Sequence, residues 1–469
     1  MSTPYGRFAR WRATRIWLRD PRRAIARLSG PPGGLDGPQL ALRAWLALTF
    51  ERDPAAAEGL ARAGLSRPGD TRFAAAALAE ALMRRGAHDE AVEVIRAARA
   101  RLPDVPWYEL TLTDALEDSG RTDEAVAILE RSASHPKLRR HALKRLSRIA
   151  LERGERAAAR RWFEALVALA PDYLVYASDY VALGRLQLEA GDADAARETW
   201  RRGARIYPRH RELRVLRQEH FGEAESLAAP RVAPVAEQQA GVRRIPIPTP
   251  LITNRTDLAR LVDGATAGKR RPGDVIALAE SPTAAAQGRV LPLELVRPGR
   301  LARLLSRFVG EIGPLHSPEG MEGAVMEAGR IRIVLGAVAG AVGRPLGRRG
   351  WFYRVAGPRT AMIDDVAACL PPLDHHLIFG PIEPGALARE LARALDCEVA
   401  VVDANHRTGA WVLAGSDGVD REWLARALAD NPAGNEDEQT PVVLVRPTAP
   451  SEAPAAGPPP DRRRQPVSR

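Results

Sequence analysis

The chain is 469 residues long, a length that predicts two or three domains. Its two cysteines, Cys369 and Cys397, exclude a disulfide framework, and its longest apolar run, Ile333–Gly343, is too short to cross a bilayer, so we expect a cytoplasmic protein without a transmembrane segment. The net charge of +11 comes mainly from arginines interspersed with acidic residues and is not accompanied by a nucleic-acid-binding motif, which favours a solvated basic surface and no nucleic-acid partner.

Residues 1–36 form a basic leader. Arginines alternate there with large apolar residues, among them Phe8, Trp11 and Trp17. This pattern is typical of a basic amphipathic helix, which either lies on a membrane surface or caps the structure that follows. The capping interpretation is favoured. A segment rich in Pro and Gly, 31–34, separates the leader from the next region.

Residues 37–220 contain a sequence repeat. Glycines recur at a spacing of 34 residues and then once more after 37, at Gly86, Gly120, Gly154 and Gly191. Each glycine is followed five residues later by an alanine, and prolines recur near the end of each unit. These positions predict a pair of helices per unit, in which Gly ends the first helix, Ala allows the two helices to approach closely, and Pro ends the second.

The units resemble tetratricopeptide repeats, at about 70–104, 105–137, 138–172 and 176–209, with a degenerate capping unit at Leu40–Pro68. We therefore expect an all-α helical repeat solenoid. Such arrays leave a concave groove, and docking of a protein or peptide partner is favoured over a pure spacer role.

The second half of the chain predicts a different class of fold. Residues 221–243 lack periodicity and form a predicted linker, and residues 448–469 form a predicted disordered tail. Between them, β-like runs at Val275–Glu280, Val399–Asp403 and Val442–Val445 alternate with helical segments, including Met321–Val342. An α+β domain is expected at 244–447. Within it, Ile333–Gly343 is expected to be a buried, closely packed helix.

Seven segments of this domain stand out together by their order and spacing: Ile245–Ile252, Arg271–Glu280, Gln287–Val290, Val399–Asn405, Gly415–Asp420, Asp430–Gly434 and Asp437–Pro441. They carry a resemblance to the coenzyme F420-0:gamma-glutamyl ligase family, particularly to its divergent bacterial branch. It implies an α+β fold of the ligase type, a homodimer, and GTP-dependent joining of glutamate or another amino acid to F420-0 or a related small acceptor, with Mg²⁺ or Mn²⁺.

Residue by residue, the resemblance implies that Asp364 and Asp403 are the metal ligands. It implies cofactor-binding positions at Leu251, Ile252, Glu280, Arg289 and Asn405. No catalytic residue is assigned. Because two lysines that the family places near phosphates are replaced by Ser281 and Ala285, an alternative stays open: a non-catalytic scaffold or binding protein built on a degenerate ligase fold.

A further candidate is the Asp374-His375-His376 sequence. Its side chains could ligate a metal ion, but a polar, exposed loop flanked by prolines is the favoured interpretation.

Overall fold

The structure is a computed structural model. It describes the whole chain except residues 1–16, 19, 30–33, 171–174, 208–209, 224–234, 236–240, 310–313, 344, 346–349, 365–368, 406–408, 435–437 and 449–469. Most of the leader and the whole tail beyond 448 therefore lie outside the described residues, as does most of the expected linker.

The chain divides into two compact units. Unit 1 comprises Met1–Ala228, Ile252–Thr256 and Ser281–Ile382, and unit 2 comprises Ala229–Leu251, Asp257–Glu280 and Glu383–Arg469. This division differs from the expected domain at 244–447, because Ser281–Ile382 belongs with the repeats. The reason is apolar packing: Leu291, Leu293 and Met321 share one buried core with the repeat helices.

Unit 1 is built mainly from helices that follow one another in pairs. A short helix, α1 (Pro21–Leu28), precedes α2 (Gly37–Leu46), which continues as a π-helical turn at Ala47–Glu51. The described α-helices that follow, as far as residue 221, are α3 (Pro54–Leu65), α4 (Arg72–Arg84), α5 (His88–Arg101), α6 (Tyr108–Asp118), α7 (Thr122–Ser132), α8 (Arg139–Glu152), α9 (Arg156–Val167), α10 (Ala177–Glu189), α11 (Ala193–Ile206) and α12 (Arg211–Phe221).

The helix pairs confirm the tetratricopeptide-like prediction. The four repeated glycines all adopt positive φ, from +74° to +80°, directly after the first helix of each pair. The repeated alanines in the second helices, Ala91, Ala125, Ala159 and Ala196, are fully buried. The sequence spacing therefore reports the two geometric requirements of each pair, a left-handed helix end and a close helix crossing.

A closer helix contact occurs in the last repeat, and it predicts a loss of stability on substitution. A Cβ atom at Gly184 of α10 would overlap with the indole ring of Trp200, which is fully buried. We expect Gly184→Ala to lower the free energy of unfolding by about 1–3 kcal/mol through overpacking. Gly59→Ala in α3 is the matched control, because a Cβ there meets no atom within 4 Å. That variant should be stabilised by about 0.5–1 kcal/mol, and urea unfolding of both compares them.

The described part of residues 281–382 contributes five helices and two short strands to unit 1. These are α14 (Glu280–Ala286, whose first residue belongs to unit 2), β3 (Val290–Pro292), α15 (Arg300–Leu305), α16 (Pro318–Ala328), α17 (Arg330–Gly343), α18 (Trp351–Ala356) and β4 (His376–Ile378). Strands β3 and β4 pair antiparallel. The single helix expected at Met321–Val342 is two helices, because Gly329 has a φ of +91° between α16 and α17.

The expectation that Ile333–Gly343 is a buried helix is wrong for most of α17. Ile333, Gly336 and Gly343 are buried, but the remaining apolar side chains form an exposed face. In the part of the chain that the structure describes, no helix is long and apolar enough to cross a membrane.

Unit 2 is a small mixed sheet with helices. Strands β1 (Val242–Ile247), β2 (Val275–Ala279), β5 (Glu398–Asn405), β6 (Gly409–Gly415) and β7 (Val442–Pro447) lie in the order β1-β7-β2-β5-β6. Among the described strands, β2 and β5 form the parallel pair. Helices α13 (Leu258–Thr266), α19 (Pro384–Leu395) and α20 (Arg421–Ala427) belong to the same unit. The α+β prediction is thus confirmed at this level, and residues 281–382 are inserted in the crossover that joins the parallel strands.

Candidate functional site

The first helices of three successive pairs are contacted by other segments of unit 1. Arg255 Nη2 donates to Glu80 of α4 over 2.9 Å. Thr111 of α6 donates to Glu294 over 3.0 Å. The segment that includes Asp374 meets α8 through Arg145. The helix face on which a repeat array would bind a partner therefore carries the chain's own residues 252–256 and 281–382.

Between these segments and the helices lies a cavity of about 360 Å³. Five carboxylate residues line it, and two arginines balance them only in part. The lining carboxylates are Glu80, Asp114, Glu117, Asp118 and Glu294, and the arginines are Arg148 and Arg255. Apolar side chains complete the wall, including Trp45, Met83, Pro292 and Leu373. The cavity is therefore acidic and of the size that proteins use for small ligands or single side chains.

Arg145 is the centre of the buried polar network behind this cavity. Its side chain is fully buried, and it donates to Asp374 twice, from Nη2 to Oδ1 over 2.6 Å and from Nε to Oδ2 over 3.2 Å. Its third nitrogen, Nη1, donates to Asp114 over 2.6 Å and to Thr113 over 2.9 Å. One guanidinium thus holds two carboxylates, which is the bidentate geometry that arginine provides.

The two aspartates of this network, Asp374 and Asp114, differ in the direction in which their pKa values are shifted. Burial opposes ionisation of Asp374, yet the charge of Arg145 and hydrogen bonds from His141 and His375 hold its pKa well below the usual range. Asp114 shares the same guanidinium, and burial together with the nearby Asp374 raises its pKa to about 8 despite Arg145. Arg145 therefore stabilises Asp374 fully as an anion and Asp114 only in part.

Glu294 differs from the other lining carboxylates. Glu80 is held by Arg84 and Arg255, which lower its pKa to about 2 against the effect of burial. Glu294 is 1% exposed, and burial raises its pKa to about 7. Its Oε1 accepts the Thr111 hydroxyl, whereas its Oε2 has no hydrogen-bond partner, and its side chain has no cationic partner, among the described residues. It is a buried acid whose charge the fold does not compensate.

Four further buried atoms of the cavity lining lack a hydrogen-bond partner within the described ranges, Nε1 of Trp45, Nδ1 of His376, Oε1 of Glu117 and Nε of Arg148. Buried polar groups in folded proteins are nearly always paired, so such groups on a cavity wall indicate contacts that a ligand could complete. Together with Glu294, they give the wall two carboxylate acceptors, two uncharged polar groups and one guanidinium N–H.

The Thr111 hydroxyl and His375 form an arrangement that superficially resembles a catalytic relay. Thr111 Oγ1 lies 3.3 Å from His375 Nε2, and Asp374 Oδ1 lies 3.4 Å from His375 Nδ1. However, Asp374 is bound by Arg145, and burial lowers the pKa of His375 to about 4. A general base needs a pKa near the working pH, so these groups are suited to holding a ligand and not to activating the hydroxyl.

The two aspartates that the ligase resemblance assigns to a metal ion belong to different compact units. Asp364 belongs to unit 1, where its backbone N–H donates to Ile378 over 3.0 Å. Asp403 belongs to unit 2, on β5 opposite Trp411, and burial raises its pKa. Among the described residues, no group of three or more His, Cys, Asp or Glu side chains is arranged to hold a metal ion. The implied Mg²⁺ or Mn²⁺ site therefore stays a prediction, with one of its two aspartates in each unit.

The implied cofactor-binding positions are likewise dispersed. Arg289 lies in unit 1 and is fully buried, where its side chain donates to Gly380 over 2.9 Å, to Glu327 over 3.0 Å and to Leu18. Its donors thus connect parts of unit 1. The buried Ile252 also lies in unit 1, whereas Leu251, Glu280 and Asn405 lie in unit 2.

Most of the residues around the cavity were not predicted from the sequence. Asp374 and His375 were candidates, but the exposed loop expected for them is wrong, because these residues are 2% and 1% exposed. Arg145, Asp114 and Glu294 were not among the candidates. The signal available in the sequence was a polar residue within a helix segment that carries the apolar stripe: Arg145 directly precedes the core residue Leu146.

No family model and no curated protein matches the chain. Solved structures do match it. PilW, a widely conserved type IV pilus biogenesis factor, is 20% identical over 46% of this chain and 99% of its own, with a TM-score of 0.35. A thermophilic tetratricopeptide repeat protein of Thermus thermophilus is 21% identical over 39% and 99%, with a TM-score of 0.25.

The quorum sensor NprR of B. thuringiensis, in its apo form, is 14% identical over 48% of this chain and 73% of its own, with a TM-score of 0.33. At these values the tetratricopeptide-like class rests on the helix pairs themselves, with their glycine helix ends and buried alanines.

Proposed function

We propose that the chain is a non-catalytic binding scaffold whose acidic cavity holds a cationic side chain, an arginine or lysine, of a peptide or protein partner. The observation that carries this proposal is Glu294, a buried carboxylate on the cavity wall without a cation beside it in the described part of the chain. A guanidinium or ammonium group would supply the missing charge.

The other charges of the cavity favour the same ligand. Both lining arginines are already engaged, Arg148 with Glu117 and Glu152, and Arg255 with Glu80 and Asp118. Neither lining arginine pairs with Glu294, and Asp114, whose pKa burial raises to about 8 despite Arg145, is a second carboxyl group that a bound cation would help to ionise. An anionic ligand would have to compete with the carboxylates that already pair with both lining arginines.

The ligase hypothesis, with GTP, a metal ion and a small acceptor, stays a prediction. The scaffold hypothesis is preferred because the donors of Arg289, a position that the ligase resemblance assigns to cofactor binding, are engaged within unit 1. By contrast, the cavity assembles residues from three repeats and from residues 252–256 and 281–382.

Calorimetric titration of the full chain with capped arginine, N-acetyl-arginine amide, tests the proposal. We expect heat of binding with capped arginine, and at least about tenfold weaker binding of capped citrulline, which has the same shape without the charge. Glu294→Gln should weaken the arginine complex by about tenfold or more.

The matched control is Glu198→Gln on α11, since Glu198 is exposed and pairs only with Arg205 in the described part of the chain. It should leave binding unchanged. Equal binding of arginine and citrulline, or full affinity in the Glu294→Gln variant, would overturn the proposal.

A further inference from the structure

Helix α17 presents a continuous apolar face to solvent. Ile331 is 78% exposed and Val338 is 58% exposed. The exposed apolar residues recur at intervals of three or four, which places them on one side of the helix: Ile331, Val334, Leu335, Val338 and Val342. Exposed apolar side chains that are contiguous in this way mark an interaction surface, whereas isolated ones do not.

The opposite side of α17 is held by the fold. A Cβ at Gly336 would lie 3.1 Å from both the Ala356 Cβ and the Phe352 carbonyl oxygen, and Gly340 lies against Phe352. Ile333 is fully buried. Glycine thus lets α17 and α18 pack closely, and the apolar face is fixed outward on a helical hairpin.

The hairpin and its neighbour α15 carry only positive charge. The sequences of α15, α17 and α18 contain no Asp or Glu, whereas they contain exposed arginines at 300, 303, 330, 332 and 354. Arg303 and Arg330 both act on Glu322, whose pKa burial raises while the two arginines oppose it. Arg303, in the last turn of α15, and Arg330, at the start of α17, therefore both lie near Glu322. Leu304 and Phe308, in and just after α15, are also exposed.

We propose that the exposed face of α17 docks on an anionic lipid surface. Apolar side chains flanked by arginines match the boundary between the headgroups and acyl chains, where the apolar face is buried and the cations meet lipid phosphates and carboxylates. At 14 residues, α17 is about 21 Å long and is too short to cross a hydrocarbon core of about 30 Å, so it lies in the surface.

Charge argues against a second copy of the chain as the occupant. A symmetric dimer through this face would bring Arg332 of both copies together; Glu322 of α16 lies near Arg303 and Arg330, but the sequences of α15, α17 and α18 contain no acidic residue. A negatively charged bilayer relieves the same repulsion.

Co-sedimentation of the full chain with phosphatidylcholine vesicles, with and without phosphatidylserine, tests the proposal. We expect binding that requires phosphatidylserine. Leu335→Gln with Val338→Gln should weaken the partition by about tenfold or more, because two exposed apolar side chains lose their burial in lipid. Arg330→Gln with Arg332→Gln should reduce the preference for phosphatidylserine and its salt dependence.

The control is Ile206→Gln with Val215→Gln, which changes two exposed apolar residues of α11 and α12 and should leave the partition unchanged. Undiminished binding of the Leu335→Gln, Val338→Gln variant would assign the lipid contact to another part of the chain and overturn the proposal. A wild-type dimer in sedimentation velocity that this variant converts to monomer, without vesicle binding by either, would assign the face to self-association and overturn it as well.

Discussion

Replacement of Arg145 by Ala is expected to lower the free energy of unfolding of unit 1 by about 3–5 kcal/mol, the cost of leaving a buried ion pair without one partner. The loss is large because the guanidinium is fully buried and serves two carboxylates at once, Asp374 and Asp114. Asp374 would then be an anion at 2% exposure with only neutral histidines beside it.

Urea unfolding at neutral pH, monitored by far-ultraviolet circular dichroism, measures this loss. Arg96→Ala on α5 is the control, because Arg96 pairs with Glu93 and Glu124 on the surface, where an ion pair contributes about 1 kcal/mol or less. A double-mutant cycle with Asp374→Ala separates the pair from the packing of the side chains. A coupling energy near zero, or equal losses for Arg145 and Arg96, would contradict the network described here.

The repeats were predictable because their signals are local. The glycine after each first helix and the alanine in each second helix report the geometry within one pair, and every pair repeats it. The strands of unit 2 were predicted for the same reason, since runs such as Val275–Ala279 and Val442–Val445 are fully apolar and bounded by turns.

The cavity was not predictable in this way. Arg145 and Asp374 are 229 positions apart, and no spacing rule connects a helix residue with a loop residue at that separation. The Asp374-His375 pair attracted attention only as polar side chains between prolines, a pattern that equally fits an exposed loop. Asp374 is buried because it contacts Arg145 and His141, and these contacts form only in the tertiary fold.

Short motifs of the ligase resemblance assign roles to Asp364 and Asp403 one at a time, and the metal site that these two residues would form stays a prediction. The inserted segment 281–382 packs with the repeats and carries Asp364 into unit 1, whereas Asp403 remains on the sheet of unit 2.

Glu294→Gln is expected to stabilise the protein at alkaline pH, by about 3 kcal/mol above pH 7. The reason is linkage: burial raises the pKa of Glu294 to about 7 from an ordinary value of 4.5, and each unit corresponds to about 1.4 kcal/mol. A raised carboxyl pKa means that the folded state prefers the protonated form. The stability that protonated Glu294 contributes to the folded state is therefore fully present below pH 4.5 and is lost as the pH rises through 7. Glutamine remains neutral throughout.

The difference in unfolding free energy between Glu294→Gln and wild type should accordingly be near zero at about pH 4.5 and grow until about pH 8, which urea titrations across that range would show. Glu80→Gln is the matched contrast, because arginines lower the pKa of Glu80 to about 2, and its removal should destabilise the fold over the same pH range.

Binding of capped arginine to the wild type should strengthen with pH across the same window, since the anion is the form that holds the cation. A residue whose ionised form destabilises the free protein but stabilises the complex with a cation is typical of a binding site. If instead the stability difference does not depend on pH, Glu294 contributes only to core packing.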